Sequence, residues 1–469
     1  MIIAKFGGTS VSSSKNIESI AEIVKKQIDK NPVVVVSALS GITDLLLSLT
    51  KGTKTQKKEI IEKIRTKHFD LIKNFWKDKD SSVVKEFVEK KLNEVKKVSA
   101  VDNCGKSFKD NLVSYGEIMS SYIISKAINS KGIESVPVIA TEMITTDDSF
   151  GSAEFLVEET KQKVNKVLIP LIKKSIVPVV TGFIGSTKKG ETTTLGRGGS
   201  DYTATIIGFC LNSSEVQIWT DVDGVYTADP RVVKNVKLIP VISFKEASEL
   251  ALFGAKILHP RTLKPAISSG IPVKVLNTFD IKKPGTLIVG KTVNLNPITA
   301  ISSKKKITLV NIYSTNMLLK KGFFAQLFNV FAKNNISIDL VSVSEVSVSV
   351  TLDNEDNLEN ALMEISKFAT VWTKKDLGIV TLVGEGIVSS SNIIKRIFDI
   401  LDSEKVLVKM VSLGATDINI SLVVKSEQVD QTVNVLHNKL LLKILKKQNI
   451  SKNQKVNFNP KVVIKSLGL

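Results

Sequence analysis

The sequence predicts an α/β protein: a mainly parallel sheet covered on both faces over residues 1–290, then two small βαββαβ domains over 305–376 and 378–458. One observation behind this is a series of short, almost wholly apolar, β-branched runs that end in glycine or polar turns and alternate with helical patterns. Strands buried on both faces of a sheet read this way. The other is an internal repeat. "LFNVFAKNNISIDLVSVSEVSVSVTL" (327–352) aligns without gaps to the segment that opens "IFDILDSEKVLVKMVSLGATDINISL" at Ile397. Phe328 then matches Phe398, Val341 matches Val411 and Ser342 matches Ser412, each 70 positions apart (398 − 328). At 469 residues the chain exceeds what one ordinary core organises, so several domains are expected.

In chain order, "IIAKFGG" (2–8), "PVVVVSALSG" (32–41), "VPVIAT" (136–141), "VPVVTGFIG" (177–185) and "VQIWTDVDG" (216–224) read as strands with turns at their carboxyl ends. Ligands of open α/β sheets gather at such ends. Residues 51–100 are lysine-rich, with Ile60, Ile64, Ile72 and Trp76 at helical spacing, and predict a pair of amphipathic helices on the outside of the domain. "YTATIIGFCL" (202–211) predicts a buried helix. The segment 280–306, with "KKPGT" and "SSKKK", reads as a linker. Each copy of the repeat then runs strand, helix, two strands and helix, as in ferredoxin-like units.

Composition narrows the function classes. Hydrophobic residues at 43% and charged residues at 24% are those of a soluble globular protein. The N-terminus "MIIAKFGGTS" breaks the apolar run that a signal peptide needs, and charges interrupt the later apolar runs short of the ~20 residues of a membrane helix. Two cysteines, Cys104 and Cys210, show no metal-ligand spacing. A reduced, cytoplasmic enzyme without a membrane partner is expected. The net charge of +19 is almost entirely lysine spread along the chain, with few aromatics to stack on bases, so no nucleic-acid partner is expected. Only Arg65, Arg197, Arg231, Arg261 and Arg396 are arginine, and three of these fall in motif-like segments, where two-pronged hydrogen bonding has a use.

Three segments carry chemistry. "TTLGRGGSD" (193–201) matches neither the P-loop nor the dinucleotide fingerprint. Its glycines nevertheless let backbone N–H groups approach an anion, and Ser200 and Asp201 are good caps for a helix starting near Tyr202. Taken alone it is either a phosphate site or a structural turn. "KFGGTS" (5–10) places Lys5 on the first strand beside Gly7 and Gly8, a second glycine turn that favours a phosphate-facing role over a snorkelling edge charge. "WTDVDGVYTADPR" (219–231) contains D-x-D-G but lacks the closing glutamate of a calcium loop and follows a strand, so no metal site is expected. It reads as a nucleotide loop, with Tyr226 for the base or ribose and Arg231 for phosphate.

Together with "LVSYGEIMS" (112–120) and "FGAKILHPRT" (253–262), these segments, in this order, resemble the amino acid kinase family and within it the aspartate kinases; the paired repeats resemble their tandem ACT regulatory domains. The resemblance spans nearly the whole chain. It implies a three-layer amino acid kinase sandwich and transfer of the ATP γ-phosphoryl group to the β-carboxylate of L-aspartate. By that resemblance Lys5, Gly7, Gly8 and Asp201 are catalytic, with Ser10, Gly198, Gly199 and Ser200 cradling phosphates. Thr220, Asp221, Tyr226, Arg231, Lys256 and Ile257 would bind ATP, and Mg²⁺ would arrive with it. Thr43, Glu117 and Arg197 would bind the amino acid. The alternatives are a kinase acting on glutamate or acetylglutamate, or a non-catalytic amino-acid sensor.

The first repeat is similar to that of the lysine-inhibited aspartate kinases. An effector, L-lysine by that similarity, would meet Met317, Gly322, Phe323, Phe324, Ser337, Ile338, Asp339, Ser344 and Glu345. Lys320 departs from the pattern, standing where a small polar residue is usual; a second ammonium there would weaken lysine binding by like-charge repulsion. ACT domains usually pair, which implies a homodimer or homotetramer.

Overall fold

The computed structural model describes residues 1–76, 81–101, 105–254, 258–292, 296–317, 321–414 and 416–443. They form two units, the first made of the described residues within 1–225, 238–251 and 258–292, the second of those within 226–237, 252–254 and 296–443.

The first unit runs β1 (Ile2–Phe6), α1 (Ser14–Lys26), β2 (Pro32–Val36), α2 (Ile42–Ser48), α3 (Lys54–Trp76), α4 (Ser82–Ser99), α5 (Lys106–Asn129), β3 (Ser135–Val138), β4 (Thr145–Thr146), α6 (Val157–Lys173), β5 (Val177–Thr181), β6 (Ile184–Thr187), β7 (Thr192–Thr194), α7 (Gly199–Leu211), β8 (Glu215–Thr220), β9 (Val241–Ser243), α8 (Phe244–Leu252), α9 (Pro260–Ser269), β10 (Val273–Asn277) and β11 (Thr286–Val289). Its main sheet has the order β3-β5-β2-β1-β8-β10-β11-β9, and every pair is parallel except β10 with β11.

The five strands expected from continuous apolar runs form the contiguous parallel block β3-β5-β2-β1-β8. On β1 the pleat sends Ala4 and Phe6 into an apolar cluster with α1 to α5, while α7 packs against the sheet beside β1 and β8. The result is the three-layer sandwich. The 51–100 region forms the helix pair α3 and α4, with Ile61, Ile64, Ile72 and Trp76 buried and Ile60 at the rim.

In the second unit, β12 (Ala300–Tyr313), α10 (Phe323–Lys333), β13 (Leu340–Val343), β14 (Ser347–Leu352), α11 (Leu358–Ile365), β15 (Thr370–Val383), α12 (Ser391–Ser403), β16 (Met410–Leu413), β17 (Asn419–Lys425) and α13 (Val429–Leu436) build one antiparallel six-stranded sheet, β13-β14-β12-β15-β17-β16. The two 14-residue strands β12 and β15 pair along their whole length, from Ala300 with Val383 to Tyr313 with Thr370. The register breaks around Ile307, next to Lys306, whose φ is +61°.

Two expectations are corrected here. The 280–306 segment is not a bare linker: it contains β11 of the first sheet and the first half of β12. That half lies beside Gly378–Val383, the stretch that pairs with β17, so the second repeat draws a strand from chain preceding the first repeat. The block 1–290 is also interrupted, because residues 226–237 fold with the second unit. Ala228 and Val233 enter the apolar cluster of the second repeat, and the Thr227 hydroxyl lies 2.9 Å from His437 Nε2. The expected end at 458 lies outside the described residues.

Candidate active site

A cavity of about 440 Å³ opens at the carboxyl ends of β1, β2 and β5, lined by Lys5, Ser37, Thr43, Glu117, Phe183 and the run Gly196 to Asp201. Lys5 sits on β1 between two turns, 8% exposed, and its Nζ lies 2.6 Å from Asp201 Oδ1. The ammonium is thereby aimed across the mouth of the cavity, held by the first turn of α7.

The glycine turn departs from expectation in one detail. The helix begins at Gly199, capped by Gly198 at φ +70°, so Ser200 and Asp201 lie in the first turn and do not cap it. A left-handed φ costs an L side chain steric energy that glycine avoids, which moves the start ahead of the better side-chain caps. The consequence suits an anion: the first turn of α7 lines the cavity, although its Gly199 N–H is engaged with the Gly196 carbonyl at 2.9 Å, and the Ser37 hydroxyl donates to Ser200 Oγ at 3.0 Å. Arg197, immediately before, is exposed at the rim. His259 lies close by; burial, then Arg197 and Arg261, hold its pKa below the usual imidazole value, so it stays neutral near neutral pH.

Glu117 comes from α5. It is 3% exposed; Oε1 accepts from the Ala38 N–H at 3.2 Å, and Oε2 is buried without a hydrogen-bond partner. Burial pushes its pKa up to about 8. A carboxylate in that position stabilises a cation brought to it and is costly without one.

The remaining expected residues distribute unevenly. The Gly7 N–H donates to the Trp219 carbonyl at 3.3 Å, so this amide is already engaged in fixing the turn. Ser10 is fully buried and its hydroxyl lies 2.8 Å from Thr278 Oγ1, outside the cavity lining. Gly8 joins the turn after β2 through Ser12, whose hydroxyl donates to the Gly8 carbonyl and accepts the Ser40 N–H at 2.7 Å. Thr220 donates to its neighbour Asp221 at the end of β8, and neither lines the cavity. Tyr226 and Arg231 belong to the second unit, where the exposed Arg231 guanidinium grips Asp229 at 2.6 Å. Lys256, Ile257 and Lys320 lie outside the described residues.

Sequence reasoning missed Ser37, Phe183 and His259. Ser37 follows the last residue of β2, so the strand-end rule that singled out Gly7 would have found it. Phe183 stands in the turn after β5 and His259 in "FGAKILHPRT", so both lie in segments the sequence had marked without being singled out there. Arg261 illustrates the two-pronged use of arginine in a structural setting: it donates to Glu154 at 3.0 Å and to the Ser152 and Ala153 carbonyls at 2.8 Å.

Among the expected effector residues, Phe323 is buried in the apolar core of the first repeat and Met317 packs at its edge. Phe324 is exposed and stacks on Phe328, while Gly322 caps α10 at φ +85°. Ser337, Ser344 and Glu345 are exposed and Ile338 is half-buried. Asp339 is half-buried and paired with Lys304 at 2.8 Å; Lys304 also meets Asp353 at 3.0 Å.

The sequence matches the amino acid kinase family over residues 1–277 and the ACT domain over 310–367 and 380–440. It is 37% identical to the lysine-sensitive aspartokinase 3 of Escherichia coli, covering 94% of this chain and 99% of that protein, and 36% identical to the chloroplastic aspartokinase 1 of Arabidopsis thaliana, covering 93% and 79%. The E. coli aspartokinase III structure with aspartate and ADP superposes with a TM-score of 0.83 over 94% of this chain and all of that one, at 37% identity. The same protein with lysine and aspartate gives 0.80, over 94% and 99%, also at 37% identity. Clostridium acetobutylicum aspartate kinase, at 27% identity, gives 0.80 over 93% and 99%.

Proposed function

The chain belongs to the amino acid kinase family and, within it, to the aspartokinases, and on that premise we propose how its cavity carries out the reaction. The enzyme is an ATP-dependent phosphotransferase with a carboxylate acceptor, an aspartate kinase. In our reading the γ-phosphoryl group passes to the β-carboxylate of L-aspartate, giving 4-phospho-L-aspartate for lysine, threonine and methionine synthesis. The acceptor is ionised at neutral pH, so no general base is required; catalysis consists of charge neutralisation and alignment.

The observation that carries this reading is Glu117. Its buried carboxylate has no ion-pair partner among the described residues, and it faces a cavity whose other walls are a lysine, an arginine and a helix N-terminus. The α-ammonium of the amino acid supplies the missing cation. Arg197 takes a carboxylate through its fork, and Thr43 adds a hydroxyl. Lys5, oriented by Asp201, neutralises the transferring phosphoryl, while Gly198, Gly199 and Ser200 form the turn that cradles the phosphates. Gly7 and Gly8 set the turn beneath Lys5, and Ser10 supports it from behind. Thr220, Asp221, Tyr226, Arg231, Lys256 and Ile257 serve the nucleotide. Mg²⁺ would arrive with the ATP phosphates.

The E. coli relative is lysine-sensitive. For this chain we assign L-lysine as effector of the first ACT repeat, with Asp339 and Glu345 meeting its ammonium groups and the repeats pairing two or four subunits. Among the described residues no helix is long and apolar enough to cross a membrane; the cytoplasm is the proposed location. Hydroxylamine trapping of the acyl phosphate tests both assignments. Aspartate should yield hydroxamate where glutamate and N-acetylglutamate do not, and lysine should suppress it at subsaturating aspartate. Equal turnover of glutamate would remove the substrate assignment; a flat curve to millimolar lysine would remove the effector.

A further inference from the structure

We propose that Asp110 is a positioning residue for the amino-acid acceptor: its carboxylate fixes the strand end that leads into Arg197, from the same helix that presents Glu117. This rests on the reading above that Arg197 binds the acceptor's carboxylate.

Asp110 and Glu117 are seven residues apart on α5, two helical turns and about 10 Å along the axis, so they share a face. Asp110 is 4% exposed, an unusual place for a carboxylate, and it is fully engaged. Oδ2 accepts the Gly151 N–H at 2.8 Å and the Thr194 N–H at 2.7 Å, and Oδ1 accepts the Thr194 hydroxyl at 2.9 Å. Thr194 is the last residue of β7, and Arg197 follows three residues later. Gly151 lies in the loop behind the turn: Gly196, at φ +76°, packs so closely on the Gly151 carbonyl and Ser152 that a Cβ there would lie within 3.2 to 3.3 Å of them. One carboxylate oxygen therefore clamps the strand that enters the turn to the loop that supports it. The Ala153 N–H donating to the Thr194 carbonyl at 2.9 Å closes the same junction.

The other half of the turn meets the first through the Gly199 N–H, which donates to the Gly196 carbonyl at 2.9 Å, and has two anchors of its own. Gly198 to Asp201 begin α7 and are tied to the sheet by Ser37 with Ser200 and by Lys5 with Asp201. Loosening the Asp110 clamp therefore displaces Arg197 relative to Glu117 and leaves the phosphate cradle in place. The effect falls on the acceptor, not on the nucleotide.

The test is steady-state kinetics of Asp110→Asn, Thr194→Val and Arg197→Lys in the full-length enzyme, with melting temperatures. Asparagine keeps the shape and can leave its oxygen toward the Gly151 and Thr194 N–H groups, but it removes the charge that strengthens those bonds and turns an NH₂ toward the Thr194 hydroxyl. Asp110→Asn is expected to raise KM for aspartate about tenfold or more with KM for ATP within about twofold, and Thr194→Val, which removes only the hydroxyl, to raise it about two- to fivefold. Unchanged KM values, with only specific activity and melting temperature lowered, would reduce Asp110 to a fold-stabilising residue and overturn the proposal. Should Asp110→Asn fail to fold, Thr194→Val decides, and an unchanged KM for aspartate there overturns it equally. Arg197→Lys separates the premise: if it leaves KM for aspartate unaltered, the Arg197 reading fails; if it raises KM while both clamp variants do not, only the clamp fails.

Discussion

Two carboxylates, one in each unit, the first buried and the second half-buried, face opposite situations. Glu117 sits at the sheet-end cavity without a cationic partner among the described residues, and burial raises its pKa to about 8. Asp339, in the first repeat, is also pushed up by burial, but Lys304 at 2.8 Å pulls part of that back. Removing an ion from water costs several kcal/mol unless a counter-charge is supplied. The kinase unit leaves that debt for its ligand to settle: below about pH 8 Glu117 holds a proton, and an arriving ammonium takes the proton's place as its counter-charge. The repeat unit has settled part of it internally, although Asp339 Oδ2 too is buried without a hydrogen-bond partner among the described residues. An ammonium effector directed to Asp339 must displace Lys304 or share its carboxylate, and gains less by arriving.

The sharpest way to break the comparison is Glu117→Gln. The isostere cannot attract an ammonium ion, so kcat/KM for aspartate should fall about 10²- to 10³-fold with KM for ATP little changed. Because the penalty is removed with the charge, melting at pH 9 should be no lower than in the unsubstituted enzyme. A variant with ordinary aspartate kinetics would show that Glu117 is only a core residue.

The pH dependence comes next, and its two signs oppose each other. A carboxyl with a raised folded pKa binds its proton more tightly in the native state, so Glu117 contributes stability that is lost as pH rises from its ordinary 4.5 through about 8. Ammonium binding needs the ionised form, so KM for aspartate should fall over the upper part of that range, up to about tenfold per pH unit below the pKa. Parallel pH profiles of KM and of melting temperature check both signs; a KM profile identical in Glu117→Gln would break the link.

The smallest effect is expected in the second unit. Lys304→Met should free Asp339 and lower the half-inhibitory lysine concentration about three- to tenfold, with basal kinetics unaltered. An inhibition curve superimposable on that of the native enzyme would show that Lys304 and the effector do not compete.

Much of this was legible in the chain. The five continuous apolar runs became the parallel block because strands buried on both faces have no polar side to hide their pattern. The strands β9 to β11 at one end of the sheet went unread because short, partly exposed strands such as Thr286–Val289 resemble linker. The site was legible where it lies on consecutive residues, as in "KFGGTS" and "GRGGSD". Residues that act through distant partners were not. Asp110 looks like any surface helix acid until Gly151 and Thr194, 41 and 84 positions away, fold against it.

The sequence by itself determined the family, the sheet, the repeat and the residue types at the phosphate turns, because these depend on local periodicity and on motifs read in order. The tertiary structure alone decided which charges meet. It buried Glu117 unpaired and gave Asp339 to Lys304. It engaged Ser10 with Thr278, and placed Ala228 and Val233 in the core of the second repeat. The physical reason is that desolvation and pairing are properties of a side chain's surroundings, assembled from chain segments that no local pattern connects.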